Sequence, residues 1–278
     1  MEVICWGVRG SLPSSGRAYS QYGGDTTCIE ILSRRGTRII IDAGTGIRKL
    51  ARNIKNDTAK TINLLLSHYH LDHIMGTPFI PQLFNREYHF NIFGPATEGA
   101  SNVRTPFETT ISPPYFPLAL ENKAIQAHID FHTIGETTLS IGDFKVSTIR
   151  LSHTNRGGLG FCIEEDDKKF VFLTDNELRF SHPCGRNYHA YTAFARDADL
   201  LLHDAQYTTQ EYENHRGWGH SSIAQVIAFG KETRARKIGF IHYDIDRNDT
   251  EINQLYTDVS TTEQQDFIPV HQEQHFTL

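Results

Sequence analysis

The sequence contains no apolar run approaching the roughly 20 residues that a membrane-spanning helix needs, so no membrane partner is expected. Its first residues, Met1-Glu-Val-Ile-Cys-Trp-Gly7, lack the basic patch and long apolar stretch of a secretion signal. The cytoplasm is therefore the expected location. Cysteine is scarce. Cys5, Cys28, Cys162 and Cys184 lie far apart and form no C-x-x-C pair, which predicts reduced, mostly buried thiols rather than a disulfide or a cysteine metal site. Positive charge is also short. A net charge of −6 withholds the broad basic footprint of a nonspecific nucleic-acid binder. The local clusters Arg34, Arg35, Arg38 and Arg234, Arg236, Lys237 read as solvated faces. Low-complexity stretches, short repeats and interdomain linkers are missing too.

What is present fits an ordinary globular chain: 278 residues, 38% hydrophobic and 22% charged, read here as a single domain over residues 1–278. Glu2 to Trp6 is a short apolar strand, followed by a Gly/Ser/Pro-rich loop. Thr27 to Leu32 and Arg38 to Ile41 form a hairpin about Arg35-Gly36. Asp42-Ala-Gly-Thr-Gly46 breaks the strand, and Ile47 to Asn53 has helical spacing. Thr61 to Leu66 is a continuous apolar run, as in a strand buried on both faces. Phe79 to Phe84 suits a short helix, and Tyr88 to Phe93 another strand. Residues 96–130 read as an irregular insertion, with Ser112-Pro-Pro-Tyr-Phe-Pro117 a stiff extended segment. A surface connection, a wall over a site and a subunit contact all fit that stretch. Strands then return at 138–141, 144–151, 160–163, 170–173, 200–203 and 237–241, with helical stretches at 191–195 and 222–232. Strands and helices recurring in both halves predict two sheets sandwiched between helices, an α/β fold.

Fifteen histidines prove nothing by number, but their positions do. His68-Tyr-His70-Leu-Asp72-His73 follows the buried strand and precedes Gly76. Residues i and i+2 of an extended segment point to one side, so His68 and His70 can reach one ion together. If the chain turns after Leu71, Asp72 and His73 face a second ion close by. Imidazole and carboxylate donors suit zinc, manganese or iron. This motif cannot complete two coordination spheres. His153, Asp175 and His242 each follow an apolar strand and enter a loop, and they are the candidates to complete them.

His68-x-His70-x-Asp72-His73, followed by His153, Asp175 and His242, resembles the ordered ligand set of the metallo-β-lactamase superfamily. The likeness spans nearly the whole chain and implies an αββα sandwich of two mixed β-sheets flanked by helices. Trp6-Gly-Val-Arg-Gly-Ser11, Tyr22-Gly-Gly-Asp-Thr-Thr-Cys28 and Asp42-Ala-Gly-Thr-Gly46 resemble its phosphodiesterase branch. The resemblance implies that His68, His70 and His153 hold one divalent ion, that Asp72, His73 and His242 hold the other, and that Asp175 bridges them. Two departures stand out. Tyr243 follows His242 where relatives often carry another residue, which predicts a changed outer pocket. The cysteines show no zinc knuckle, which counts against the cyclic ribose-phosphate substrate of phosphonate-pathway relatives.

Leu202-His203-Asp204-Ala205 and Gly219-His220-Ser221-Ser222 resemble the paired His-Glu-Ala-Thr and His-Ser-Thr motifs of ribonuclease Z and related phosphodiesterases. By that resemblance His220 contacts the scissile phosphate or protonates the leaving oxygen, and Asp204 orients His220. Asp72 orients the attacking hydroxide as well as holding an ion. Two ions lower the pKa of water toward about 7 and neutralise charge on phosphate oxygens, which suits phosphodiester hydrolysis. Asp42 is expected to orient a ligand histidine or to serve as a plain turn residue. Arg156 reads as a phosphate contact or a solvated residue, and His203 as structural. The leading expectation is a phosphodiesterase for a small phosphodiester or nucleotide, a cyclic nucleotide first, able to form a homodimer. An RNA-processing nuclease like ribonuclease Z is the alternative. The chain shows no long Gly/Pro-rich arm for transfer RNA, and its acidity also argues against that substrate. Glyoxalase-type thioesterases do not account for the paired motifs, and a flavin-partnered di-iron oxidoreductase would carry a carboxylate at His70. A non-catalytic metal or nucleotide sensor would be expected to lose a ligand, and the whole set is kept here.

Overall fold

The structure, a computed structural model, describes residues 1–54, 57–97, 99, 101–155, 157–260 and 265–278. Two seven-stranded mixed sheets face each other. The first runs β14 (Gln274–Thr277), β1 (Glu2–Gly7), β2 (Cys28–Leu32), β3 (Arg38–Ile41), β4 (Thr61–Leu65), β5 (His89–Gly94), β6 (His128–Thr133). The second runs β13 (Asp266–Pro269), β12 (Lys237–Ile241), β11 (Leu200–Asp204), β10 (Lys168–Leu173), β9 (Leu159–Glu165), β8 (Phe144–Arg150), β7 (Thr138–Ile141). In each sheet one half is antiparallel and the other parallel: β3 to β6 pair in parallel, as do β10 to β13.

The pleat sorts the core. Along β3, Ile39 and Ile41 join the apolar layer between the sheets, whereas Ile40 faces the outer layer. Val3 and Cys5 of β1 likewise point inward, and Ile4 and Trp6 outward. This is the period-2 alternation of a strand with both faces covered. Leu50 and Ala51 of helix α1 (Ile47–Asn53) cover the outer face of the first sheet. Tyr191 and Ala195 of α4 (Tyr188–Ala195) pack into the second sheet's core with Val226 and Phe229 of α6 (Ile223–Thr233). No described helix is long and apolar enough to cross a membrane. Cys5, Cys28 and Cys162 are buried, Cys184 is half-buried, and all four are free thiols.

The expected hairpin, the helix at 47–53 and the strands at 138–141 and 237–241 lie where the pattern puts them. Other parts differ. The expected helix at 79–84 is a pair of 3-10 turns, Thr77–Phe79 and Pro81–Phe84. The described residues of 96–130 are more ordered than the sequence suggests: they hold helix α3 (Arg104–Thr110), and the end of the stretch enters β6. The segment 112–117 is not extended. Ser112 O accepts from both Tyr115 N and Phe116 N, which closes it into a turn. Two further helices, α5 (Thr209–His215) and α7 (Asp249–Ser260), were not anticipated.

Strands β1, β3 and β4 share a direction in the first sheet, as do β8, β10, β11 and β12 in the second. Every residue of the expected site lies at or just beyond the C-terminal end of one of these strands, or on a loop packed against them. That is where open α/β sheets gather ligands.

Candidate metal centre

After β4 the chain continues extended through His70, and the short helix α2 (Leu71–Ile74) then turns it. His68 and His70 thus lie side by side, ring centroids 4.5 Å apart. Asp72 and His73 swing to the other side, as the spacing anticipates. His153 follows β8, Asp175 follows β10 and His242 follows β12, and all three converge on this motif. The structure gathers the donor atoms into two sets, one of His68, His70, His153 and Asp175, the other of Asp72, His73 and His242.

Asp175 divides its oxygens between the sets. Oδ2 lies 3.4 Å from His68 Nε2 and 3.6 Å from His153 Nε2. Oδ1 lies 3.4 Å from His73 Nε2 and 3.2 Å from His242 Nε2. Asp72 Oδ2 is 3.3 Å from His73 Nε2 and 3.1 Å from His242 Nε2. Atoms bonded to one tetrahedral zinc stand roughly 3.3 Å apart, given bonds of about 2.0–2.1 Å. The spacing therefore fits two ions sharing one carboxylate.

The outer hydrogen bonds fit as well. His73 Nδ1 donates to Asp42 Oδ2 at 2.7 Å, and His153 Nδ1 donates to the carbonyl of Gly219 at 2.9 Å. His242 Nδ1 faces Gln206 Oε1 at 3.2 Å. His68 Nδ1 meets Ser67 Oγ at 3.1 Å, whose own hydroxyl donates to Asp42. Each bond holds the ring in the tautomer whose Nε2 lone pair faces inward. His68 Nε2 and His73 Nε2 are buried and have no hydrogen-bond partner, a costly state for a polar atom unless a ligand meets it. His70 is turned the other way, with Nδ1 inward, 3.2 Å from His153 Nε2, and Nε2 3.4 Å from the Asn155 amide.

The electrostatics favour the donor form at His68, His153 and Asp175 but not at His73 and His242. At those two rings burial opposes the charge, yet Asp72 and Asp175 outweigh it and raise both, so an entering ion displaces their protons. Burial pushes the His153 imidazole down to about 3. Burial, reinforced by His73, holds His68 well below the usual histidine range. Burial opposes the charge on Asp175, but His242, His73 and His68 outweigh it and hold its carboxyl well below the ordinary value. Neutral imidazoles and ionised carboxylates are the forms that bind a cation.

Backbone strain marks the same place. Asp42, Asp175 and His242 carry left-handed φ angles of 61°, 58° and 61°, conformations that non-glycine residues hold only when their surroundings over-determine them. Asp42 is fixed by three bonds at 2.7 Å, from Ser67 N, Ser67 Oγ and His73 Nδ1. It is the orienting residue rather than a plain turn residue.

His220 sits at the rim, its ring stacked on His242 at 4.8 Å and 5.1 Å from that of His153. One of its nitrogens lies within 4.8 Å of donor atoms of Asp175 and His242. Its expected orienting partner acts differently. Asp204 Oδ2 is 3.6 Å from His220 Nδ1, beyond hydrogen-bond reach, and that nitrogen has no hydrogen-bond partner. The shorter Asp side chain instead accepts from Asn176 N and Ser221 N. His203 is buried against the Asp204 carbonyl and the Asn176 amide, a structural setting. Ser222 caps α6. Tyr243 does not reshape the outer pocket: it is buried, and its hydroxyl donates to the Phe240 and Val270 carbonyls. Arg156 lies outside the described residues.

Sequence reasoning missed several supporting groups. Ser11 N donates to Asp72 Oδ2 at 2.8 Å. Glu177 is a buried clamp that accepts from Gly217 N, Gly219 N and Tyr212 Oη, with His182 Nε2 3.0 Å away. It fixes the loop that delivers both the Gly219 carbonyl and His220. Arg9, also buried, donates to the carbonyls of Gly23, Asp244 and Arg247 and so pins the His242 loop. Only the Gly-rich Trp6–Ser11 motif hinted at any of these.

A small cavity of about 250 Å³ opens beside His68, Tyr69 and His70, walled by Thr97, Thr154, Asn155 and Gly157. A profile described as Beta-lactamase superfamily domain matches residues 37–243. The chain belongs to the β-lactamase superfamily. Ribonuclease Z of Natronomonas pharaonis is 22% identical over 286 residues, covering 87% of this chain and 86% of that protein. Among solved structures, the metallo-β-lactamase fold protein YhfI from Bacillus subtilis superposes with a TM-score of 0.72 at 15% identity, over 99% of this chain and 98% of its own. A diphosphatase of the PhnP family gives a TM-score of 0.71 at 17% identity, over 100% and 97%. The fold is thus the metallo-β-lactamase fold, as the ordered histidines implied.

Proposed function

We propose that this metal-dependent hydrolase is a two-metal phosphodiesterase whose substrate is a small phosphodiester, a cyclic nucleotide first among them. The observation that carries the reading is the division of Asp175 between two histidine sets, with His220 at their rim. His68, His70, His153 and Asp175 would hold one divalent ion. Asp72, His73, His242 and the other oxygen of Asp175 would hold the second, with zinc or manganese the favoured ions and iron a third choice. Bound there, the ions supply water acidified to a nucleophile near neutral pH and positive charge against the phosphoryl oxygens. Asp72, held by the Ser11 amide, presents a fixed carboxylate that orients the attacking water. His220 donates a proton to the leaving oxygen. Asp204 is a positioning residue that holds the Asp175 and His220 loops in register.

The small cavity supports a small substrate, and its described lining residues include neither lysine nor arginine. A long polyanion needs cationic contacts along its backbone. The second reading, RNA processing, is favoured by the likeness to ribonuclease Z over 87% of this chain. The proposal includes a homodimer, for which exposed Leu71, Phe79 and Tyr115 offer apolar surface; sedimentation equilibrium measures it.

The test is turnover of bis(p-nitrophenyl) phosphate by protein loaded with manganese or zinc, beside Asp175→Ala. Metal-dependent turnover that is lost in the variant is expected, followed by a screen of cyclic nucleotides against structured RNA. No turnover with both sites demonstrably filled overturns the diesterase reading.

A further inference from the structure

We propose that His89, His128 and Asp130 form a third metal site, for a late first-row divalent ion such as zinc, nickel or copper, at the end of the sandwich away from the catalytic centre. His89 opens β5 and His128 opens β6, and the two are register partners on neighbouring parallel strands. Their side chains therefore stand side by side, ring centroids 4.7 Å apart. Asp130 lies two residues further along β6, on the same face. Its Oδ2 is 2.8 Å from His89 Nε2 and 3.3 Å from His128 Nε2, and the donor atoms of all three lie within 4.8 Å of one another. The 3.3 Å spacing falls within the range of the catalytic sets, and the 2.8 Å one is a hydrogen bond that an ion would replace by widening it about half an ångström. Two imidazoles and one carboxylate suit zinc, nickel or copper. The cluster is half-exposed, so an ion reaches it from solvent and keeps room for water in a fourth position.

The site is separate from the catalytic one. His89 is level with Thr61, at the start of β4, whereas His68 lies beyond that strand's far end. Seven residues of extended chain at about 3.3 Å each put the two roughly 20 Å apart. The site also has a mechanical setting. β6 is the edge strand of the first sheet, tied to β5 on one side only. An ion held by His89 on one strand and by His128 and Asp130 on the other would fasten that edge. It would also anchor the return of the 95–127 connection, whose Thr97, Tyr115 and Phe116 wall the apolar cleft next to the catalytic centre.

Equilibrium dialysis of the metal-free full-length protein against zinc or nickel, followed by metal analysis, tests this. Wild type is expected to bind one equivalent more than His128→Ala and Asp130→Asn, while Asp175→Ala keeps that equivalent. Nickel added beyond the tight equivalents is expected to raise the Tm of wild type but not of the two variants. His128 is exposed and Asn preserves the shape of Asp130, so both variants should fold. Equal stoichiometry in wild type and either variant overturns the proposal, as does a nickel-induced rise in Tm that persists in either. The result does not depend on any turnover assay.

Discussion

Asp204 receives a hydrogen bond from Ser221 N at 2.9 Å through one carboxylate oxygen, while its other oxygen accepts from Asn176 N at 3.0 Å. It therefore ties the Asp175 loop to the His220 loop through their backbones. Asp204→Ala would leave both buried N–H groups unmet, at about 1–3 kcal/mol for each. A clear fall in Tm together with lost activity is expected. A variant with normal Tm and only a shifted pH profile would instead mean that Asp204 acts by tuning His220.

Asp42 illustrates support through a neighbour. Removing it in Asp42→Ala frees the His73 ring and breaks the chain through Ser67 to His68. Loss of such orienting partners typically weakens metal binding about 10–100-fold. Competition with a chromophoric chelator measures this directly.

Two glycines are required for space beside the donor rings. A Cβ on Gly10 would stand 2.3 Å from His242 Nδ1, and one on Gly219 would stand 2.0 Å from His153 Nδ1. Gly219 also has a φ of 95°, so a side chain there is strained as well. Gly10→Ala and Gly219→Ala are expected to keep their circular dichroism yet lose metal content and turnover.

If His220 protonates the leaving oxygen, its removal should matter most where that oxygen is a poor leaving group. General acids contribute typically about 10²–10⁴-fold. His220→Ala is expected to lower kcat by that order for alkyl phosphodiesters and much less for p-nitrophenyl ones, whose leaving group needs little help. Equal losses on both would assign His220 to binding.

Chelation should also destabilise the fold. An ion that binds only the folded chain adds about 4 kcal/mol when present at a thousand times its Kd. The Tm in excess EDTA is therefore expected to fall well below that of the zinc-loaded protein, and to recover on adding metal back.

His68, Asp175 and His242 were legible as candidate donors because each follows a run of apolar residues that can only be a buried strand: Leu64 to Leu66 before His68, Phe170 to Leu173 before Asp175, Ile238 to Ile241 before His242. β6 was not. As an edge strand it has no fully buried residue in His128–Thr133, so nothing in its pattern separates it from a loop. Helix α5 hides for a similar reason, since Tyr212 alone is buried. Glu177, Gln206 and Ser11 act over separations of up to 61 residues, and nothing local distinguishes them from other loop residues. Asp204 was read from its motif, but only coordinates reveal that its reach ends at backbone amides.

Each sheet of the sandwich brings its parallel half to the same end, and Asp175 joins the donors of one sheet to those of the other. The centre is therefore sensitive to shear: sliding either layer by one residue, about 3.3 Å, would part His153, Asp175 and His242 from His68, His70, Asp72 and His73, splitting both sets while leaving every strand paired. The outermost strands β6, β7, β13 and β14 lie away from that alignment. New segments added there could vary what the enzyme meets without moving the atoms that do the chemistry.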